Sequence, residues 1–98
     1  MNKRAETSVS LHPLIAERWS PRAFDEKATI SAEDLTAIFE AARWAPSAFN
    51  AQPWKFILGL RGDENFKLIT SFLVPFNQEW ASRASALVLT NVIGFRED

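Results

Sequence analysis

Residues 45–54 read APSAFNAQPW, with two prolines, two amides, one serine and several small side chains, but no glycine and no charge. A plain connector more often carries glycine and charge. Something is therefore expected to be held close to this backbone. The stretch also divides the chain, because its upstream neighbour is patterned as helix and its downstream neighbour as strand.

Upstream, SAEDLTAIFEAARWA, residues 31–45, is the clearest element. Ser31 is a good N-cap, and Glu33 and Asp34 complement the positive end of a helix. Leu35, Ile38, Phe39 and Ala42 make an apolar stripe at helical spacing, and Pro46 stops the run. A shorter helix is expected from Leu11 to Trp19, ended by Pro21. Downstream, WKFILGL, residues 54–60, reads as a largely buried strand between Pro53 and the Arg61-Gly62-Asp63 turn. Phe66, Ile69 and Leu73 predict a helix over residues 63–73. Pro75 suits the first turn of the next helix, where Phe76 and Trp80 form an i,i+4 aromatic pair. ALVLTNVI, residues 86–93, predicts a second buried strand. The order helix, helix, strand, helix, helix, strand makes the fold class α+β. Residues 1–10 are polar and expected to be loose, so the domain portion is 11–98.

Composition narrows the function. Ninety-eight residues suffice for one modest domain, and a formal net charge of -1 supplies no broad basic field for nucleic acid or membrane. The absence of cysteine excludes disulfides, thiolate metal sites and cysteine nucleophiles. The one histidine, His12, rules out multi-histidine metal sites within one chain and argues against a Ser-His-Asp triad. The start of the chain is too polar for a signal peptide, and no run is long enough to span a membrane. A soluble cytoplasmic protein is expected. Aromatics are the unusual feature, with 8 Phe and 4 Trp but no Tyr. So many large rings need a large core, a planar ligand or a partner surface, and a short chain is not expected to bury them all alone.

Three groups of residues could carry chemistry. In RWSPR, residues 18–22, an extended backbone puts Arg18, Ser20 and Arg22 on one face. Two guanidinium forks and a hydroxyl suit a phosphate, although on spacing alone a solvated basic turn is the better reading. Asn50 and Gln52 are also two apart, and Pro53 biases Gln52 toward extended geometry. Their amides match a heterocycle with alternating donors and acceptors; equally, Asn50 could close a turn on its own backbone while Ser47 is solvated. Asn77 and Gln78 open the helix that carries Trp80, and without further context they read as exposed, with Trp80 in the core. The three glycines are scattered, so there is no phosphate-binding glycine loop.

Taken in order, RWSPRAF at 18–24, the capped helix at 31–45, APSAFNAQPWKFI at 45–57 and NQEW at 77–80 resemble the FMN-dependent nitroreductase family. The resemblance runs from about Leu14 to Val92. It implies a mixed sheet flanked by helices and an intertwined homodimer with FMN at the subunit interface. It also implies hydride passing from NAD(P)H through the flavin to a small-molecule acceptor such as a nitroaromatic or quinone. Carried over by position, Arg18, Trp19 and Ser20 form the cofactor-contacting turn, with Arg18 and Ser20 on the phosphate. Arg22 falls on the pyrimidine side of the ring. Pro46, Ser47 and Ala48 pack on the flavin from the other subunit, Asn50 lies in the same loop, and Asn77 bonds the ring's polar edge. No catalytic side chain is implied, since the flavin carries the chemistry. Family members continue well beyond a second strand, so this chain resembles the N-terminal half of one. The alternative is a non-catalytic flavin-binding or dimerisation fragment that needs a second chain.

Overall fold

The sheet is built from the two apolar runs that the sequence marks. In a computed structural model, which describes residues 3–94, β1 (Trp54–Leu60) pairs antiparallel with β2 (Ala86–Val92), from Trp54 opposite Val92 to Leu60 opposite Ala86. Among the described residues, four α-helices accompany it: α1 (Pro13–Glu17), α2 (Ala32–Arg43), α3 (Glu64–Ser71) and α4 (Pro75–Ala81).

Local chemistry sets each boundary. α1 is shorter than the spacing predicts, because the Nδ1 of His12 caps it by accepting from Leu14 N at 3.2 Å and Arg18 is already extended. α2 starts where Ser31 Oγ accepts from Asp34 N at 3.0 Å, as the cap pattern requires. Asp63 caps α3 by accepting from Phe66 N at 2.7 Å, and its other carboxylate oxygen accepts from Leu60 N at 3.0 Å. Those two backbone donors, Phe66 first, hold the Asp63 carboxyl below its ordinary range. Residues 3–10 form neither helix nor strand. Arg4 pairs with Glu17 at 2.8 Å, Ala5 N donates to Ala16 O at 2.7 Å, and Lys3 lies over the Trp19 ring.

α3 sits directly on β1 at Gly59, where a Cβ would come within 2.5 Å of Phe66 N. Phe66 and Ile69 are buried beneath it, with Ala16, Ala81 and Ala84 the other buried apolar side chains among the described residues. On the opposite face of the sheet, Phe39 of α2 meets Phe56 with ring centroids 5.6 Å apart.

Burial departs from the sequence reading. β1 and β2 are not buried strands: within them only Gly59 is buried, and Phe56, Ile57, Leu60 and Val88 are exposed. The stripe of α2 contributes no buried residue. A two-stranded sheet has too little width to cover both of its faces. The accessible surface is 8502 Å², against about 5,700 Å² for a folded monomer of this length. The radius of gyration, 16.5 Å, likewise exceeds the value of about 13 Å for a chain of this size.

Candidate functional site

The segment 45–53 leaves α2 extended at Ser47, makes one 3-10 turn over Ala48–Asn50 and enters β1. Its shape comes from its own side chains. Ser47 Oγ accepts from Gln52 N at 3.0 Å, and Gln52 Nε2 donates to Asn50 Oδ1 at 2.9 Å. Ser47 is therefore the half-buried staple of the loop, and neither amide closes onto its own backbone. Gln52 is not extended, as Pro53 would favour, but left-handed at φ 48, because the staple captures its N–H. Phe49 at φ 55 and Asn50 at φ 53 are left-handed too. Three such residues without a glycine are a strained backbone of the kind found at ligand sites. The loop borders a cavity of about 410 Å³ lined by Arg43, Trp44, Ala45, Pro46, Ser47, Asn50 and Gln52.

Two features of this rim escape the sequence reading. Phe49 is fully exposed at the tip of the turn. Glu40, one helical turn back, accepts from Arg43 Nη2 at 2.9 Å and from Trp44 Nε1 at 2.8 Å. The Arg43 hydrogen bond, and then that of Trp44, keeps the Glu40 carboxyl below its usual range. Arg43 also lies 4.9 Å from the centroid of the Trp44 ring. The exposed indole is thus fixed on an edge and a face. Glu40 at i−4 from Trp44 was the available signal.

In the basic turn, Arg18 and Ser20 share a face as predicted: Arg18 Nη1 reaches Ser20 Oγ at 3.5 Å. Trp19 is exposed beneath Lys3. Arg22 goes elsewhere. It lines a cavity of about 200 Å³ with Phe76, Glu79, Trp80 and Arg83. Trp80 packs on Phe24, centroids 5.8 Å apart, and donates from Nε1 to Asn77 Oδ1 at 3.1 Å. That bond leaves the Nδ2 donors of Asn77 to meet acceptors, whereas Gln78 is engaged with Leu73 O at 2.8 Å. Trp80 is half-buried rather than core, and Asn77 is half-buried beside it. The cavity at the loop and the cavity at Arg22 share no residue. The structure therefore joins Arg18 to Ser20, and Arg22 to Asn77 through Trp80. Pro46, Ser47 and Asn50 line the loop cavity, with Ala48 exposed in the turn between them.

Residues 15–89, which span all three groups, match the model of the Nitroreductase family. The chain belongs to the nitroreductase family. Its fold agrees: it superposes with a TM-score of 0.81 and 41% identity on a crystal structure of an oxidoreductase containing FMN, over 92% of this chain and 44% of that one. Among relatives, it is 38% identical over 76 residues to an oxygen-insensitive NADPH nitroreductase of Helicobacter acinonychis (strain Sheeba), covering 78% of this chain and 35% of that protein. It is 31% identical over 93 residues to the major NAD(P)H-flavin oxidoreductase of Aliivibrio fischeri, covering 89% of this chain and 43% of that protein. This nitroreductase-family chain thus spans between about a third and under a half of the length of these relatives. Among its described residues, no metal-ligating cluster is present, and no helix is long and apolar enough to cross a membrane.

Proposed function

We propose that this chain is a flavin-binding part of an FMN-dependent oxidoreductase that moves reducing equivalents from NAD(P)H to a nitroaromatic, quinone or similar acceptor. The observation that carries this is the glycine-free loop at 45–53, held in a strained shape by Ser47, Asn50 and Gln52 around an open cavity. Its residues suit a flavin: small walls at Ala45, Pro46 and Ser47 admit a flat ring, Ala48 keeps the adjoining turn small, and the amides match the ring's polar edge. Arg18, with Ser20 beside it, suits the phosphate, and Trp19 lies between them. Arg22 and Asn77 suit the pyrimidine side, where a cation favours the reduced, anionic ring. When bound, FMN supplies hydride chemistry at its N5 atom. The chain's own residues bind the flavin, orient it and bias its charge.

The separation of the loop cavity from the Arg22 cavity supports assembly from two copies, one contributing the loop and the other the Arg22–Asn77 pair. The surface of this chain supports the same reading. It exceeds that of an ordinary monomer by roughly 2,800 Å² per copy, or about 5,600 Å² for two copies, at the upper end of what obligate dimers bury. The same observation favours a second reading, in which the chain is a non-catalytic module completed by a different chain. The visible absorption spectrum of the purified protein tests the proposal. A flavin band bleached by NAD(P)H is expected. A bound flavin that NAD(P)H cannot bleach selects the non-catalytic reading, and failure to retain added FMN refutes a flavin site built from copies of this chain alone.

A further inference from the structure

Arg61 lies directly after the last residue of β1 and is half-buried. Its guanidinium donates to four main-chain carbonyls: Nε to Ala84 at 3.0 Å, Nη1 to Ala28 at 2.8 Å, and Nη2 to Arg83 at 2.9 Å and Asp25 at 3.4 Å. None of these acceptors is a carboxylate. They belong to two segments far apart in sequence, 25–28 and 83–84. The Arg61 N–H donates to Ser85 O at 2.9 Å, and Ser85 Oγ accepts from Ile30 N at 2.7 Å. One side chain and one hydroxyl thus lace three stretches of backbone at the end of the sheet. The rigid fork of a guanidinium can address four carbonyls at once, whereas an ammonium with three donors at one point cannot.

The lacing ties residues 25–30, which follow Arg22 and Phe24, to the turn at 83–85 that follows α4. Phe24 lies on Trp80, Trp80 holds Asn77, and Arg22 shares its cavity with Trp80 and Arg83. We propose that Arg61 is a positioning residue for the flavin site, a carbonyl clamp that sets Arg22 at its distance from Asn77. The proposal rests on reading Arg22 and Asn77 as contacts to the flavin ring.

Amide hydrogen exchange and titrations with FMN and riboflavin, on the full chain, test it. Arg61→Lys keeps the charge and loses the fork. It should speed exchange at Ile30 while the β1–β2 ladder stays protected. It should also weaken FMN and riboflavin alike, by about tenfold, the loss expected when one hydrogen bond to a charged group is misplaced. In an Arg22→Ala background the same change should have no further effect on riboflavin, a non-additivity that a merely structural role would not produce. Ser85→Ala removes only the Ile30 bond and should act in the same direction more weakly, which keeps the test available if Arg61→Lys fails to fold. Unchanged protection at Ile30, or losses that add across Arg61 and Arg22 while the parent binds flavin, would overturn the clamp alone. Failure of the parent to bind either flavin would overturn the reading of the site, and the clamp's role with it.

Discussion

Alanine at Gly59 probes whether α3 is seated on β1 as the structure has it. The added Cβ would stand 2.5 Å from Phe66 N, 2.6 Å from Phe66 Cα and 2.9 Å from Asn65 C. All three atoms are main chain in the first turn of α3, so no side-chain rotation relieves the clash. An ordinary carbon contact is about 3.5–4.0 Å, so α3 must withdraw by roughly 1 Å. A gap of that size forfeits a quarter to a half of the contact energy of the side chains it lifts. Phe66 and Ile69 are the large side chains that α3 buries, and full burial of the two is worth roughly 3–6 kcal/mol. The expected loss is therefore about 1–3 kcal/mol, which agrees with overpacking costs generally. The other two glycines serve as controls. Nothing lies within 4 Å of a Cβ at Gly94 or Gly62, but Gly62 has φ +92. Gly94→Ala should stay within about 0.5 kcal/mol of the parent, and Gly62→Ala should cost about 1–2 kcal/mol from backbone strain alone. Urea unfolding monitored by far-UV circular dichroism, at one fixed protein concentration, measures all three. A Gly59→Ala midpoint no lower than that of Gly94→Ala would refute the seating of α3 on the strand.

Three further outcomes rest on particular residues. Arg18→Ala should weaken FMN binding by about tenfold or more while riboflavin, which lacks the phosphate, binds as before; equal losses in parallel titrations would remove Arg18 from the phosphate site. Because the Asp63 carboxyl is held below its ordinary range by Phe66 and Leu60 N–H groups, its contribution to stability is fully present above the unfolded value of about 3.9. That contribution is lost as pH falls through the lower folded value. Asp63→Asn should flatten the acid limb of a stability-versus-pH curve, and an unchanged limb would show that the cap does not set it. Light scattering at micromolar concentration should give twice the monomer mass, and a well-folded monomer there would sink the two-copy reading.

The parts of this fold that were legible in the sequence are those governed by local chemistry. Ser31, Pro46, Asp63 and Pro75 each act on backbone groups within a turn of themselves, and the ends of α2, β1, α3 and α4 fall at or beside them. Burial was not legible, because apolar periodicity reports which face seeks cover and not whether cover is present. Ile38 on α2 and Val88 on β2 carry the right pattern and remain exposed. The site divides in the same way. The face shared by Arg18 and Ser20 comes from extended geometry. The turn of Arg22 toward α4 depends on Phe24 meeting Trp80, a contact between distant segments that no spacing rule contains. Arg61 was hidden for the same reason, since it looked like one charge in a turn until the carbonyls of residues 25–28 and 83–84 came around it.

The loop at 45–53 shows how a strained backbone can be held by local means. Asn50 tolerates the left-handed region. Phe49 and Gln52 have no intrinsic preference for it and cost about 1–2 kcal/mol each. Against that roughly 2–4 kcal/mol stand the Ser47–Gln52 and Asn50–Gln52 hydrogen bonds, worth about 0.5–1.5 kcal/mol apiece. The two sums meet within a few kcal/mol, so the loop's own side chains offset most of its strain. Its cavity then exists before anything enters it, and a ligand of matching shape binds without first ordering the wall. Glycine would have reached the same φ values with no strain. It would also have left the loop free to adopt many others, and the cost of choosing among them would fall on the ligand. A glycine-free loop with serine, asparagine and glutamine at these positions moves that cost from binding to folding.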